Sequence, residues 1–293
     1  MKITEAFERG EFVVTAEVGP PKGFHIEHML EEAKTYLSGI TAVNVTDNQS
    51  SVMRLGSLAT CKALKDEGLT PILQLTCRDR NRIALESDLL SAALFGIENL
   101  LLLTGDHTTL GDHPQAKPVF DLDSVSLIHA VKQLESGVDL GGNELVGEPP
   151  KFAKGAVVSP CSDSLDAQLA QKERKVAAGC EYFQTQAVYE PEKFIQFMEK
   201  AKQFGKPVQL GIVIPKSVGM CRYMNANVAG IHLPEEMIDE LKADKEKTKA
   251  GITGVEIAAR IIRECKPYCQ GVHIMAMGWE SKVPSLLEQA GLK

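Results

Sequence analysis

Apolar, β-branched runs alternate with helical patterns from one end of the 293-residue chain to the other, and no Pro/Gly/Ser-rich linker divides it. That alternation signals repeated βα units and a mainly parallel sheet. Strands are expected at Phe12 to Glu17, Ala42 to Thr46, Pro71 to Thr76, Asn99 to Thr104, Ala156 to Val158, Tyr182 to Thr185, Val208 to Ile214 and Val272 to Met275. Between them, Ile26, Met29, Leu30, Ala33 and Leu37 fall on one helical stripe, and a second helix from Leu55 to Glu67 stops at Gly68. Further helices are expected at Asn81 to Phe95, Leu122 to Leu134 and Ser164 to Ala178, on the Phe194, Phe197, Met198, Ala201 stripe, and at Val283 to Ala290. The stretch 216–265 reads as two or three helices broken at Pro234 and Gly251. The count and lengths favour an α/β fold of the (β/α)8 TIM-barrel type, one domain over 1–293. An open sheet is the alternative, because periodicity does not show whether strand eight meets strand one.

Two segments break the rhythm. Residues 105–121 have no period and are long beside the roughly two to six residues usual for a βα loop, which marks them as functional. Residues 136–152 are rich in Gly and Pro and read as a second excursion, a short hairpin.

Thirty-two Lys+Arg against 39 Asp+Glu give a net charge of −7, which argues against a nucleic-acid or anionic-membrane surface. A dinucleotide would therefore be held by local positive charge and backbone N–H groups. No apolar run approaches the roughly 20 residues of a membrane helix, and the N-terminus lacks the apolar stretch of a signal peptide, so a cytoplasmic location is expected. The seven cysteines form an odd, dispersed set; buried or free thiols are expected, with Cys265 and Cys269 a poor metal pair.

In a barrel the chemistry belongs at the carboxyl ends of the strands. Those ends are polar: Glu17 before Val18-Gly19-Pro20-Pro21, then Thr46-Asp47-Asn48, Gln74 with Thr76-Cys77, Thr104-Gly105-Asp106, and Thr185-Gln186. Asp47, Asn48 and Asp163 read as caps or turn residues. Glu17, a carboxylate ending an apolar strand, is expected to be partly desolvated and suited to donate a proton, a salt bridge to a lysine being the alternative. Asp106, opening the long loop, is a similar case. No Gly-x-Gly-x-x-Gly, Walker-type loop or His-Glu-x-x-His occurs, and the seven histidines show no ligand cluster at the strand ends, so no metal is expected.

The order Glu17-Val-Gly-Pro-Pro, Val45-Thr46, Gln74-Leu-Thr-Cys77, Leu103-Thr-Gly-Asp106, Lys117-Pro, Arg174-Lys-Val-x-Ala-Gly179, Thr185-Gln186 and Gly211-Ile-Val-Ile-Pro215 resembles the methylenetetrahydrofolate reductase family over nearly the whole chain. The resemblance implies an FAD-bearing (β/α)8 barrel that reduces 5,10-methylenetetrahydrofolate to 5-methyltetrahydrofolate. It implies Glu17 as general acid, Asp106 between flavin and pterin, and Gln186 as the pterin-gripping amide. It also implies FAD contacts from Thr46, Gln74, Thr104, Gly105, Asp106, Phe120 and Lys175, the last as pyrophosphate charge. The chain departs from the better-known bacterial enzymes at Gln74 for His, Thr104 for Arg and Ser159 for Tyr, and it lacks a stacking aromatic near Lys216 to Met220. His273-Ile-Met-Ala-Met277-Gly-Trp279 resembles relatives from anaerobes that work with an iron–sulphur or zinc partner protein, so a place as an oligomer or complex subunit is expected. A non-redox pterin-binding barrel serving a folate-dependent methyltransferase, or a flavin electron-relay subunit, is the other reading. A Schiff-base aldolase is disfavoured, because no expected strand end carries a buried lysine.

Overall fold

In the computed structural model, which describes residues 1–292, eight parallel strands close into a barrel in sequence order, with β8 returning to β1. Lys293, the last residue of the expected domain, lies outside the described residues. The strands are β1 Val13–Val18, β2 Ala42–Val45, β3 Pro71–Thr76, β4 Asn99–Leu103, β5 Ala153–Val158, β6 Tyr182–Ala187, β7 Val208–Val213 and β8 Gly271–Met275. The helices are α1 Ile3–Glu8, α2 Glu27–Leu37, α3 Ser57–Asp66, α4 Arg82–Leu94, α5 Ser124–Glu135, α6 Leu165–Ala178, α7 Pro191–Ala201, α8 Val218–Asn227, α9 Glu235–Ala243, α10 Lys245–Lys249, α11 Ile252–Cys265 and α12 Val283–Gln289.

Both faces of the strands are covered, so they carry near-continuous apolar runs: Leu100 and Leu102 of β4 join the core between barrel and helices, while Leu101 points into the barrel's lower layer. Local chemistry sets the helix ends. Asn81 caps α4, Asp123 and Ser126 form a capping box on α5, and Ser164 caps α6, which ends at Gly179 with φ 117°. The 136–152 excursion carries the expected hairpin contact, an antiparallel bridge between Val138 and Glu144.

Three features differ from the sequence expectation. β5 begins at Ala153 instead of Ala156, because Lys154 is buried within it and ion-paired to Glu135 at 2.8 Å and Glu181 at 2.9 Å. The 216–265 stretch forms four helices; the additional break is at Asp244, extended at φ −134°, whose side chain caps Lys247. The N-terminal helix α1, unanticipated, closes the amino end of the barrel: Ile3 and Ala6 pack on Val13, Ala42, Ile72, Leu101, Ala153 and Tyr182, and the Ile3 N–H donates to Asn99 Oδ1 at 2.7 Å. The barrel is thus sealed below and open at its carboxyl face, where a ligand can enter.

Candidate active site

Strand alternation sends every second residue inward, and above the apolar floor these positions are polar. A middle layer joins Thr15, Asn44, Gln184, Gln209 and His273, all buried. Asn44 Nδ2 donates to Gln184 Oε1 at 2.9 Å, and Gln184 Nε2 donates to Gln209 Oε1 at 3.1 Å. Thr15 Oγ1 accepts from Gln209 Nε2 at 3.1 Å and from Gln184 Nε2 at 3.3 Å. The Thr15 hydroxyl is also hydrogen-bonded to His273 Nδ1, 2.9 Å away. His273 Nε2 faces Glu17 Oε2 at 3.7 Å.

Glu17 ends the inward row of β1 and is buried. Its partner is not the lysine considered above but a set of neutral donors: Gln49 Nε2 reaches Oε1 at 3.1 Å and Gln74 Nε2 reaches Oε2 at 3.2 Å. The three groups come from β1, β3 and the loop after β2, so only barrel closure brings them, with His273 of β8, to one point.

Above this point lies a cavity of about 610 Å³, within the range of small-molecule and cofactor sites. Seven of the sequence candidates line it: Glu17, Gln74, Thr104, Gly105, Asp106, Lys175 and Gln186. Gln74 sits on Glu17 as well as on the cavity wall. Asp106 is exposed, so the desolvation expected for it is not seen. Thr104 is also exposed and accepts the Ser124 N–H at 3.1 Å, tying the long loop to α5. Gly105 has φ 95°, and an added Cβ would meet Arg78 and Thr76 at 3.1 Å, so the backbone lies close to the wall there. Lys175, on α6, donates to Val157 O at 2.6 Å; burial lowers its amine below the usual lysine range, with Cys180 and Asp123 opposing.

Two candidates are not in the wall. Thr46 is buried and its Oγ1 has no hydrogen-bond partner, while Phe120 lies in the long loop, stacked on His107 with centroids 6.2 Å apart. Phe120 holds φ 43° there, with its N–H on Cys77 O.

Sequence reasoning missed His273, Gln49 and the Asp47 clasp. His273 was legible only as an inward polar residue of a short strand. Asp47 is not a cap: its fully buried carboxylate accepts from Thr76 N and Oγ1, both at 2.9 Å, and pairs with Arg80 at 2.7 Å. Asn48 adopts φ 45° and accepts the Arg54 N–H, and Asp163 is exposed with Ser164 doing the capping. All seven cysteines are buried and unpaired, and among the described residues no cluster of His, Cys, Asp and Glu could hold a metal. No helix of the described residues is long and apolar enough to cross a membrane.

A closed (β/α)8 barrel whose carboxyl face gathers a carboxylate, an imidazole and several amides around one cavity places this chain among the TIM-barrel proteins. The chain belongs to the methylenetetrahydrofolate reductase family, whose model matches residues 2–291. It is 24% identical over 265 residues to the 5,10-methylenetetrahydrofolate reductase of Escherichia coli, covering 87% of this chain and 82% of that protein. It is 25% identical over 248 residues to methylenetetrahydrofolate reductase 2 of Schizosaccharomyces pombe, covering 80% of this chain but only 38% of the fission yeast protein. Among solved structures, an uncharacterized Clostridium thermocellum protein described as binding two copies of 5-methyl-5,6,7,8-tetrahydrofolic acid superposes with a TM-score of 0.67 at 16% identity, over 98% of this chain and 96% of that one. At that identity the likeness shows the fold.

Proposed function

We propose that this chain carries out flavin-dependent reduction of 5,10-methylenetetrahydrofolate to 5-methyltetrahydrofolate, with Glu17 as general acid. The observation that carries this reading is the placement of a buried Glu17 carboxyl, bracketed by Gln49, Gln74 and His273, on the same cavity as Gln186 and Asp106. Membership of the family supports it.

The residues present fit an FAD. Gly105 offers bare backbone at the wall, and Lys175 brings an amine to a cavity otherwise rich in carboxylates and amides. Gln74, Thr104, Gly105, Asp106 and Lys175 would hold the cofactor, with Thr46 and Phe120 outside the cavity wall. When bound, the flavin supplies the hydride. The chain's own work is protonic and geometric. Glu17 delivers a proton to the amine nitrogen that departs as the imidazolidine ring opens, and His273, with Nε2 3.7 Å from Glu17 Oε2, borders the acid. The carboxylate of Asp106 offsets the positive charge that develops on the opened substrate. Gln186 meets the donor and acceptor edge of the pterin.

The test is direct. Purified protein should be yellow, release FAD on acid treatment, and reduce methylenetetrahydrofolate with a reduced dye as donor; colourless protein that still binds folate would move the reading to a non-redox methyltransferase partner. None of the described residues lining the cavity is Phe, Tyr or Trp, and Tyr223 of α8 is exposed away from it. A nicotinamide needs a surface to hold it flat for hydride transfer, whereas an electron-transferring protein needs only access to the flavin edge. Electrons are therefore proposed to arrive through the iron–sulphur centres of a partner protein, any zinc in that partner being redox-inert and structural. Slow flavin bleaching by NADH and NADPH beside rapid bleaching by dye is the expected result, and fast bleaching by either nucleotide would overturn it.

Lys175 makes a pH-dependent prediction. Its amine loses its proton below the ordinary lysine value of roughly 10.4, so a pyrophosphate held by it is released as pH rises through that lowered range. Flavin affinity should fall on going from neutral to alkaline pH, and Lys175→Met should weaken binding at neutral pH and flatten the profile. A titration that is the same in both proteins would remove Lys175 from the cofactor site.

A further inference from the structure

We propose that Thr185 is a positioning residue that aims Gln186, through a side-chain repair of a break in the barrel. The inference rests on the reading of Gln186 as the substrate-recognising amide. β6 pairs with β7 at Phe183↔Val208 and Gln184↔Gln209, and pairing resumes at Ala187↔Gly211. Three residues advance on β6 (184 to 187) while two advance on β7 (209 to 211), so one residue is extra and Thr185 with Gln186 together face Leu210. Such a bulge re-aims a side chain, and it also leaves ladder groups without partners.

Thr185 supplies the missing partner. The buried Gly211 N–H donates to Thr185 Oγ1 at 2.8 Å, and Thr185 Oγ1 donates onward to Gln186 O at 2.8 Å. The hydroxyl therefore stands where a backbone carbonyl stands in an unbroken ladder, and it holds the carbonyl of the residue it positions. Beyond it, the Val188 N–H returns to Gly211 O at 3.0 Å. Only glycine fits at 211, since a Cβ there would lie 2.1 Å from Thr185 O.

The bulge also orients the Gln186 amide. The Ala187 N–H donates to Gln186 Oε1 at 3.1 Å, Nε2 makes no hydrogen bond to the described residues, and the residue lines the cavity. Gln186 thus keeps two N–H donors and one Oε1 lone pair uncommitted at a cavity-lining position, a pattern suited to a ligand edge with a carbonyl or ring-nitrogen acceptor beside a donor.

Thr185→Val keeps the shape and removes the hydroxyl, leaving the Gly211 N–H buried and unsatisfied and the Gln186 carbonyl unheld. The expected result is a rise in folate KM of about tenfold, the scale of one lost buried hydrogen bond, with kcat changed less and flavin content and dye-driven flavin reduction unchanged. Thr185→Ser, which restores the hydroxyl, should return KM to near wild type. Gln186→Ala is measured alongside, and in the double variant the Thr185→Val effect should vanish, because no amide is left to aim. Unchanged folate affinity in Gln186→Ala overturns the reading of Gln186. A folate-weak Gln186→Ala beside an unaffected Thr185→Val, or equal Thr185→Val effects in both backgrounds, overturns the positioning role alone. Should the valine protein fail to fold, Thr185→Cys, whose thiol is a weak donor and acceptor, is compared with Thr185→Ser on the same readouts.

Discussion

Glu17→Gln is expected to slow folate turnover on the order of 10²–10⁴-fold, the range for loss of a general acid, while flavin binding and dye-driven flavin reduction stay near wild type. The substitution preserves volume, and Gln49, Gln74 and His273 still surround the site, so what is removed is a transferable proton. Separate stopped-flow measurement of the two half-reactions distinguishes this outcome from a structural one. If both half-reactions fell equally, Glu17 would be a support of the barrel mouth and the proton would come from elsewhere. His273→Asn should show a milder form of the same pattern, because it changes the surroundings of Glu17 Oε2 without removing the acid itself.

Asp47→Ala is expected to cost about 3–5 kcal/mol of stability, the largest such effect among the residues around the cavity. The carboxylate is fully buried and holds three groups at once, the Thr76 N–H, the Thr76 hydroxyl and the Arg80 guanidinium. Its removal leaves a largely buried arginine whose remaining carboxylate partner is Asp88 at 2.8 Å, and a backbone N–H with no acceptor. For a chain of this length, a loss of that size lowers the melting temperature by roughly 5–8 °C. Asp88→Ala, which removes the outer and partly exposed partner of Arg80, should cost about 1 kcal/mol or less. Comparable melting shifts in the two variants would show that the Asp47 clasp is ordinary surface chemistry.

The strand and helix content was legible because each element carries its own periodicity and punctuation. The four-leucine run of β4, the stripe of α7 and the Gly179 stop of α6 depend on residues within a few positions of one another. Lys154 obscured the start of β5 for the converse reason: its charge is cancelled by Glu135 and Glu181, residues that the chain brings together only after folding. The first helix was invisible for a similar reason, since Ile3 and Ala6 are meaningful only as a seal over the floor of a closed barrel.

The site divides along the same line. Sequence alone determined the identity of the polar residues at successive strand ends, because alternation along each strand and the position of its last residue are local properties. Glu17, Gln74, Thr104, Gly105, Asp106, Lys175 and Gln186 were all found in this way and by family resemblance, and all line one cavity. Tertiary structure decided which of these groups act on one another. Closure of β8 onto β1 sets His273 beside Thr15 and Glu17, with the amides of Gln184 and Gln209 on the same Thr15 hydroxyl. The β6 bulge turns Gln186, and the long loop stacks Phe120 on His107, outside the cavity wall. Hydrogen-bond partners hundreds of residues apart, such as Thr15 and His273, leave no local trace, because geometry alone selects them once the barrel has closed.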